Sequence, residues 1–427
     1  MRWGRAVGLC HPVAMRLGDI ANEAAAGNGK PLEGIRILAA EQMQALPFAT
    51  QLLARLGAEV VKVEHPVHGE SGRGALPAMA DPQGRRVGAT FLRNNLNKRS
   101  VGLDLKDERG RELFLELAGR FDVVAENFKA GTMDRLGLGY DVLAARHPRL
   151  VYVSVSGFGN LGDSPYRGWP AYAMVPEAMS GLYEWARQGD EPPRVTPAGA
   201  LGDISSALFA VIGILAALRH RDVTGKGQQV DVAMLDSMIA MTDVITNFWS
   251  LGQRDNNPEI IMTGFRAADG WFAVQVAREH QFERLAELVG RPDWLTDERF
   301  STRKGWAEHL ESDIRPAVES WASEMTRLQV CDALGGAGIP AGPCHTPEEV
   351  VHDEHVARRN MLVEMPRVDG VEEPVLVPGN PVKLSAVAEG PETRVPWVGE
   401  HTDEVLRAEL GLDDDQLAEL RDAGVIT

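Results

Sequence analysis

The segment GIRILAAEQMQALPFATQLLARLGAEVVKVE, residues 34–64, determines the fold of this chain. Its two ends, 34–38 and 59–64, are short and rich in β-branched residues, which is typical of buried strands. Between them, residues 44–56 have the apolar spacing of a helix that ends before Gly57. A strand, a helix and a strand in this order predict a βαβ unit with parallel strands.

The same alternation of short apolar runs and helical patterns continues along the chain. The strands predicted next are 100–103, 122–125, 150–154 and 229–232, with helices at 108–120 and 204–218 between them. This order predicts the α/β class, with a doubly wound, mostly parallel, Rossmann-like large domain. Ligands of such sheets bind beyond the carboxyl ends of the strands. We therefore expect a site in the loops after Leu38, Glu64, Glu126 and Ser156.

The sequence pattern changes near residue 247, which predicts a second, smaller α+β domain with a hairpin turn at Ala268-Asp269-Gly270-Trp271. The predicted organisation is a poorly ordered extension, a large domain, a small domain and a C-terminal segment that returns to the large domain. Their boundaries are 1–30, 31–245, 246–359 and 360–427.

Composition limits the possible partners. The chain has 427 residues, 44% of them apolar and 25% charged, as expected of a globular protein with a large core. A net charge of −17 disfavours nucleic acid, and an anionic ligand requires a local group of Lys and Arg. Three scattered cysteines suit a reducing cytoplasm. The apolar runs fall short of a membrane span, so we expect a cytoplasmic protein without a membrane partner.

Several common site motifs are missing. The loop after the first strand lacks G-x-G-x-x-G, the dinucleotide fingerprint, and the chain has no phosphate-binding G-x-x-x-x-G-K-[ST]. His65, His68, His345 and His401 are not in metal-ligand spacing, so we predict no metal site. The G-x-S-x-G motif of serine hydrolases is also absent.

Asp203 stands where the apolar helical run 204–218 begins. One interpretation is a helix N-cap, for which Asp is among the preferred residues. The other is a functional carboxylate, held as an anion by the unpaired N–H groups and the positive dipole end of the helix.

Basic and amide side chains occur where predicted strands begin or end. They are found in Asn97-Lys98-Arg99, in Asn127-Phe128-Lys129 and at Arg135. Lys and Arg side chains of this kind bind phosphates in many proteins. The alternative interpretation is that these residues are charged side chains on the solvent-exposed surface. Gln44, after the first strand, suits either a hydrogen bond to a ligand or a cap of the next helix.

Together these segments resemble family III CoA-transferases, the CaiB/BaiF family, which includes formyl-CoA transferase and the carnitine-linked CoA-transferase. The resemblance runs from about Leu32 to the end of the chain. Its ordered matches are LGAEVVKVE at 56–64, NKRS at 97–100, VSGFG at 155–159, AMSG at 178–181, TGKGQ at 224–228 and GIPAGP at 338–343.

The resemblance implies a CoA-transferase that moves CoA from an acyl-CoA donor to a carboxylic acid acceptor, with Asp203 as nucleophile. The intermediates would be an aspartyl mixed anhydride and an aspartyl-CoA thioester, with the helix N–H groups of Ile204 and Ser205 near the oxyanions. CoA and acyl-CoA would be substrates, with no permanently bound cofactor. The implied CoA-binding residues are Gln44, Ala45, Leu103, Lys106, Asn127, Phe128, Lys129, Arg135 and Tyr172.

The chain departs from the family pattern at two places. Ala173 follows Tyr172 where several members have an acid, so any role of that acid is either absent here or supplied by another residue, such as Glu177. No glycine-triplet loop lies near 262–264, which places the loop pattern closer to the carnitine-linked branch. Arg73, Arg93 and Arg167 are alternatives for holding a substrate carboxylate, or are surface charges.

Two other functions are compatible with this scaffold. One is a 2-methylacyl-CoA racemase, which needs a second acid/base. In the related racemases this group is usually a histidine, at the position where this chain has Tyr172. A non-catalytic CoA-binding protein is the other alternative, since fold alone does not determine function. The resemblance also implies a homodimer of interlocked chains.

Overall fold

The computed structural model describes residues 14–187, 189–195, 199–242, 245–254 and 259–427. Contacts between Cα atoms divide the chain into two compact units. One unit comprises the chain up to Gln253 together with Glu354–Thr427, and the other is Arg254–Asp353.

The strands are, in chain order, β1 Met15–Arg16, β2 Arg36–Ala40, β3 Glu59–Glu64, β4 Ala78–Ala80, β5 Arg86–Gly88, β6 Lys98–Gly102, β7 Val123–Glu126, β8 Val151–Ser156, β9 Gln229–Ala233, β10 Ile261–Ala267, β11 Gly270–Val276, β12 Ala341–Pro343, β13 Leu362–Met365 and β14 Val375–Pro378.

The α-helices are α1 Ala45–Arg55, α2 Ala89–Asn94, α3 Glu108–Ala118, α4 Thr132–Arg135, α5 Tyr140–Arg146, α6 Met174–Met179, α7 Leu182–Trp185, α8 Leu201–Thr224, α9 Met234–Met241, α10 Ile245–Ser250, α11 Glu279–Leu288, α12 Arg303–Glu308, α13 Arg315–Ala322, α14 Arg327–Gly336, α15 Pro347–Val351, α16 Glu354–Arg358, α17 Thr402–Leu410 and α18 Asp414–Asp422.

The larger unit is built on a six-stranded sheet in the order β6-β3-β2-β7-β8-β9. Every pairing between these strands is parallel. The strand order reverses between β2 and β7, so this is a doubly wound sheet with a topological switch point. The predicted α/β class and mostly parallel sheet are therefore confirmed.

Both faces of this sheet are covered, which explains its nearly continuous apolar strands. On β2, the alternate residues Ile37 and Ala39 pack with α1 and α8 in one core. Leu38 and Ala40 point to the other face and pack with α3, α17 and α18 in a second core. Strand ends that carry polar side chains remain accessible at the switch point, where the site lies.

Helix α8 is the main helix of the first face. By length and composition it could span a membrane, but 44% of its most apolar 18-residue stretch is buried inside the protein. It packs closely on the sheet because Gly213 has no side chain, and a Cβ there would lie 2.5 Å from Val230. We conclude that α8 is a core helix, longer than the apolar run that predicted it.

The smaller unit has a separate antiparallel sheet in the order β10-β11-β12. Its core contains stacked aromatic rings, with Phe282 and Trp306 at a centroid distance of 4.5 Å. The predicted hairpin is confirmed, with its turn at Ala268 and Asp269 between β10 and β11.

The structure corrects the expectation for the N-terminal 30 residues. Strand β1 pairs in parallel with β13, with Met15 opposite Val363, and a short 3₁₀ helix covers Glu23–Asn28. Residues 14–30 are therefore ordered against the distant C-terminal segment, and the partner strand is too far along the chain for local patterns to indicate it. Residues 1–13 of the predicted extension lie outside the described residues.

Candidate active site

A cavity of about 220 Å³ opens at the carboxyl edge of the main sheet. Side chains from the loops after β2, β3, β7 and β8 line it together with the start of α8, as expected for a switch-point site. Its lining includes Gln42, Met43, Gln44, Ala45, Ser71, Asn127, Phe128, Lys129, Gly157, Phe158, Arg167, Trp169, Tyr172, Asp203 and Met234.

The loops on either side of the switch point are held together by a reciprocal pair of hydrogen bonds. The Gln42 N–H donates to Asn127 Oδ1 at 2.8 Å, and Asn127 Nδ2 donates to the Gln42 carbonyl at 2.9 Å. The next residue, Met43, has φ +60°, an unfavourable conformation for a residue with a side chain. Glu70 stabilises it by accepting the Met43 N–H at 2.9 Å. These contacts position Gln44 and Ala45 at the cavity.

A buried group of charges lies behind this loop. Lys98 Nζ contacts Glu41 Oε1 at 2.7 Å, and Lys62 Nζ lies 3.5 Å from the same oxygen. None of the three side chains is exposed to solvent. Burial lowers the pKa of Lys98 to about 8, against the attraction of Glu41, so the amine is still charged at neutral pH.

This arrangement corrects the phosphate-binding interpretation of the Asn97-Lys98-Arg99 segment. Lys98 is enclosed, and Arg99, the next residue of β6, pairs with Glu59 and Glu404. The sequence indicated both basic residues but not the ion pairs that they form, and neither Lys98 nor Arg99 lines the cavity.

Asp203 lies in the first turn of α8, at the cavity. The N-cap interpretation is wrong, because the helix begins at Leu201 and its cap position is Ala200, a residue with φ +31°. Burial, and secondly the negative charge of Glu177, raise the pKa of Asp203 to about 6. The helix start therefore stabilises the ionised form of Asp203 less than expected, but the side chain is still mostly ionised at neutral pH.

The helix N–H groups near Asp203 are already bonded. The Ile204 N–H donates to the Ala200 carbonyl at 3.0 Å, and the Asp203 N–H donates to the same oxygen at 3.0 Å. The Gly202 N–H donates to Glu177. The expected role of Ile204 in oxyanion stabilisation is therefore wrong, and Ser205 already lies within the regular helix.

Most of the predicted CoA-binding residues meet at the cavity. Those that line it are Gln44, Ala45, Asn127, Phe128, Lys129 and Tyr172. The other three do not line it. Leu103 is buried at the end of β6, Lys106 is exposed just beyond it, and Arg135 is exposed on α4 with a hydrogen bond to Thr132.

The structure separates the three arginines considered for a substrate carboxylate. Arg73 is buried and paired with Glu64, which excludes it. Arg93 is half-buried with its guanidinium over the ring of Phe48. Arg167 lines the cavity, and it also lines an adjacent acidic cavity with Glu126, whose pKa burial raises to about 8.

Sequence reasoning did not identify part of the cavity wall. Phe158 and Trp169 line the cavity and form an aromatic cluster with Tyr166, whose ring centroid lies 4.9 Å from that of Trp169. Met43 and Ser71 were also not predicted. The cluster of aromatic residues in PYRGWPAY, 165–172, was the available signal.

The fold and the site define an α/β protein with a buried carboxylate of raised pKa and basic side chains at a switch-point cavity. The sequence profile of CoA-transferase family III matches residues 32–402, and the chain belongs to this family. The predicted family and the predicted enzyme class, a CoA-transferase, are thereby confirmed.

Named relatives and a solved structure agree with this assignment. The chain is 35% identical over 405 residues to the succinyl-CoA–L-malate CoA-transferase beta subunit of Chloroflexus aurantiacus, covering 93% of this chain and 98% of the relative. It is 35% identical over 422 residues to the formyl-CoA:oxalate CoA-transferase of Streptomyces coelicolor, covering 93% and 99%. A CAIB/BAIF family protein from Brucella suis has a TM-score of 0.77 at 31% identity, covering 90% and 100%.

Proposed function

We propose that this protein transfers CoA between an acyl-CoA and a small carboxylic acid, with Asp203 as the covalent carrier. One observation carries the proposal. Among the described residues that line the switch-point cavity, Asp203 is the one carboxylate, and it shares the cavity with Lys129. A carboxylate is a nucleophile of the strength needed to attack a thioester, and the product is an activated anhydride.

The proposed reaction has four steps in which a bond forms and a bond breaks. Asp203 attacks the acyl carbon of the donor, and CoA leaves as a thiolate. The thiolate attacks the aspartyl carbonyl of the anhydride and releases the donor acid. The acceptor carboxylate attacks the aspartyl thioester and again releases thiolate. The thiolate then attacks the acceptor acyl carbon, which yields the new acyl-CoA and free Asp203.

The environment of Asp203 suits this role. A pKa of about 6 leaves the group ionised at neutral pH while burial makes it a stronger base than a solvated aspartate. The start of α1 presents helix N–H groups at the cavity, because Ala45 is the first residue of that helix and lines the cavity. We assign the stabilisation of the oxyanions to this helix start and to the Gln44 amide.

The same geometry supports a path for CoA across the switch point. Lys129 and Arg135 follow β7, and we assign them to the phosphates because they supply positive charge on a chain of net charge −17. Asn127, Phe128 and Tyr172 would contact the pantetheine arm. Leu103 and Lys106, at the end of β6, would contact the adenosine.

The decisive experiment measures CoA exchange by Asp203→Asn. Wild-type protein is incubated with succinyl-CoA and a panel of mono- and dicarboxylic acids, and new acyl-CoA species are identified by mass. We expect the variant to lose roughly 10³-fold or more in turnover while it still binds CoA. The control is Asp222→Asn, an exposed aspartate near the other end of α8. Full exchange by Asp203→Asn would refute the proposed function.

We also propose that the chain works as a cytoplasmic homodimer. Helix α8 exposes Leu208, Ile212, Leu215 and Val223 along one stripe, with Ile212 61% exposed. Apolar stripes of this kind on a helix are generally covered by another surface. A second copy of this chain is the partner we assign to it, consistent with the interlocked arrangement that the family resemblance implies.

A further inference from the structure

The turn of α8 that carries Asp203 is held in place from outside the helix. The chain enters this turn through Gly199 and Ala200, both in left-handed conformations with φ +101° and +31°. Such a conformation is unfavourable for alanine and persists only where surrounding contacts stabilise it. These contacts concentrate on Gly202, the residue before Asp203.

Gly202 is held by three contacts. Its N–H donates to Glu177 Oε1 at 3.0 Å, and its carbonyl accepts the Ser206 hydroxyl at 2.6 Å. Helix α6 packs so closely that a Cβ at Gly202 would lie 2.8 Å from the Ala173 carbonyl oxygen. The position of Asp203 therefore depends on the contact between α6 and the first turn of α8.

Glu177 is the polar centre of that contact. Its side chain is 4% exposed, and its second oxygen accepts the hydroxyl of Tyr183, which is also buried. Burial, and secondly the bond to Glu177, raise the pKa of Tyr183 to about 12, so this hydroxyl donates throughout the physiological range. The ion pairs of the described residues do not include Glu177, and its carboxylate is held by the hydrogen bonds from Tyr183 and Gly202.

We propose that Glu177 is a positioning residue for Asp203: it holds the first turn of α8 through the Gly202 N–H and places a second carboxylate behind that of Asp203. The role rests on the proposed transfer reaction. Ala173 caps α6 one turn before Glu177, so both residues meet the start of α8 from the same face of that helix.

The electrostatic surroundings of Asp203 have few other charges. Lys129 and Arg167 line the same cavity from the loops after β7 and β8, together with Tyr172. Helices α1 and α9 contribute Ala45 and Met234, which do not titrate. Burial, and secondly Glu177, oppose the ionisation of Asp203.

The test is Glu177→Gln, which keeps an oxygen for the Gly202 N–H and removes the charge. We expect the acid limb of the turnover-against-pH profile to move to lower pH by a few tenths of a unit or more, because Asp203 becomes easier to ionise. Turnover on the alkaline plateau should fall by about twofold or less, because nucleophilicity changes by no more than the basicity does. The KM for acyl-CoA should change little, since Glu177 does not line the cavity.

Two further variants make the result decisive. Glu184→Gln removes an exposed carboxylate of α7 that pairs with Arg187, and its pH profile should match the wild type. Glu177→Ala should lose more turnover than Glu177→Gln, because the Gly202 N–H is left without an acceptor. An unchanged pH profile in a folded Glu177→Gln protein refutes the inference. If wild-type protein forms no aspartyl-CoA adduct, the proposed function fails instead.

Discussion

Replacing Lys98 by methionine tests the buried charges that support the active-site loop. Lys98→Met keeps most of the side-chain volume and removes the ammonium group. Lys98 Nζ donates to Glu41 Oε1 at 2.7 Å, to the Pro47 carbonyl at 2.8 Å and to Asn95 Oδ1 at 3.0 Å. All three contacts are buried, so water does not replace the lost donor.

The expected loss follows from what remains around Glu41. Removing one partner of a buried ion pair generally costs about 3–5 kcal/mol, because the other charge is left without compensation. Glu41 keeps Lys62 at 3.5 Å and the Thr50 hydroxyl at 2.8 Å. We therefore expect a loss near the lower limit, about 3 kcal/mol in the free energy of unfolding.

The assay is urea unfolding followed by circular dichroism, with a double-mutant cycle. Glu41→Gln combined with Lys98→Met should be less destabilised than the sum of the single variants by about 1 kcal/mol or more. The control Lys226→Met lies at an exposed turn after α8 and should match the wild type. A loss below about 1 kcal/mol for Lys98→Met, or strictly additive effects, would refute the account of this network.

Two more predictions concern substrate binding and assembly. Lys129→Ala combined with Arg135→Ala should raise the KM for acyl-CoA by about 10–100-fold in steady-state assays and change turnover much less. Lys226→Ala is the control. A loss confined to turnover would contradict phosphate binding by Lys129 and Arg135. Ile212→Asp should raise the dimer dissociation constant about 30-fold or more, equivalent to about 2 kcal/mol, in sedimentation experiments. Val67→Asp, at a 61% exposed loop position, should not change it, and an unaffected Ile212→Asp dimer would contradict the interface.

The architecture of the large unit was predictable because it follows from local patterns. Residues 34–64 have strand, helix and strand periodicities that hold in the structure to within two residues at each boundary. The four loops expected to carry the site all contribute to the cavity. Side chains at the ends of neighbouring parallel strands meet because the sheet brings them together, which requires no knowledge of distant contacts.

The errors have a common physical cause, which is pairing between residues far apart in sequence. Lys98 resembles a solvated lysine until Glu41 is placed against it. The first turn of α8 depends on Glu177, which accepts the Gly202 N–H from 25 residues earlier in the chain. Strand β1 depends on β13, which lies more than 300 residues later.

The central claim is that Asp203 becomes covalently attached to CoA. Wild-type protein incubated with succinyl-CoA without acceptor acid, then acid-quenched, digested and analysed by mass spectrometry, tests it directly. The account predicts CoA in thioester linkage to the peptide that contains Asp203, and none on the Asp203→Asn protein. An adduct on a different residue, or undiminished CoA exchange by a protein that forms no adduct, would contradict it.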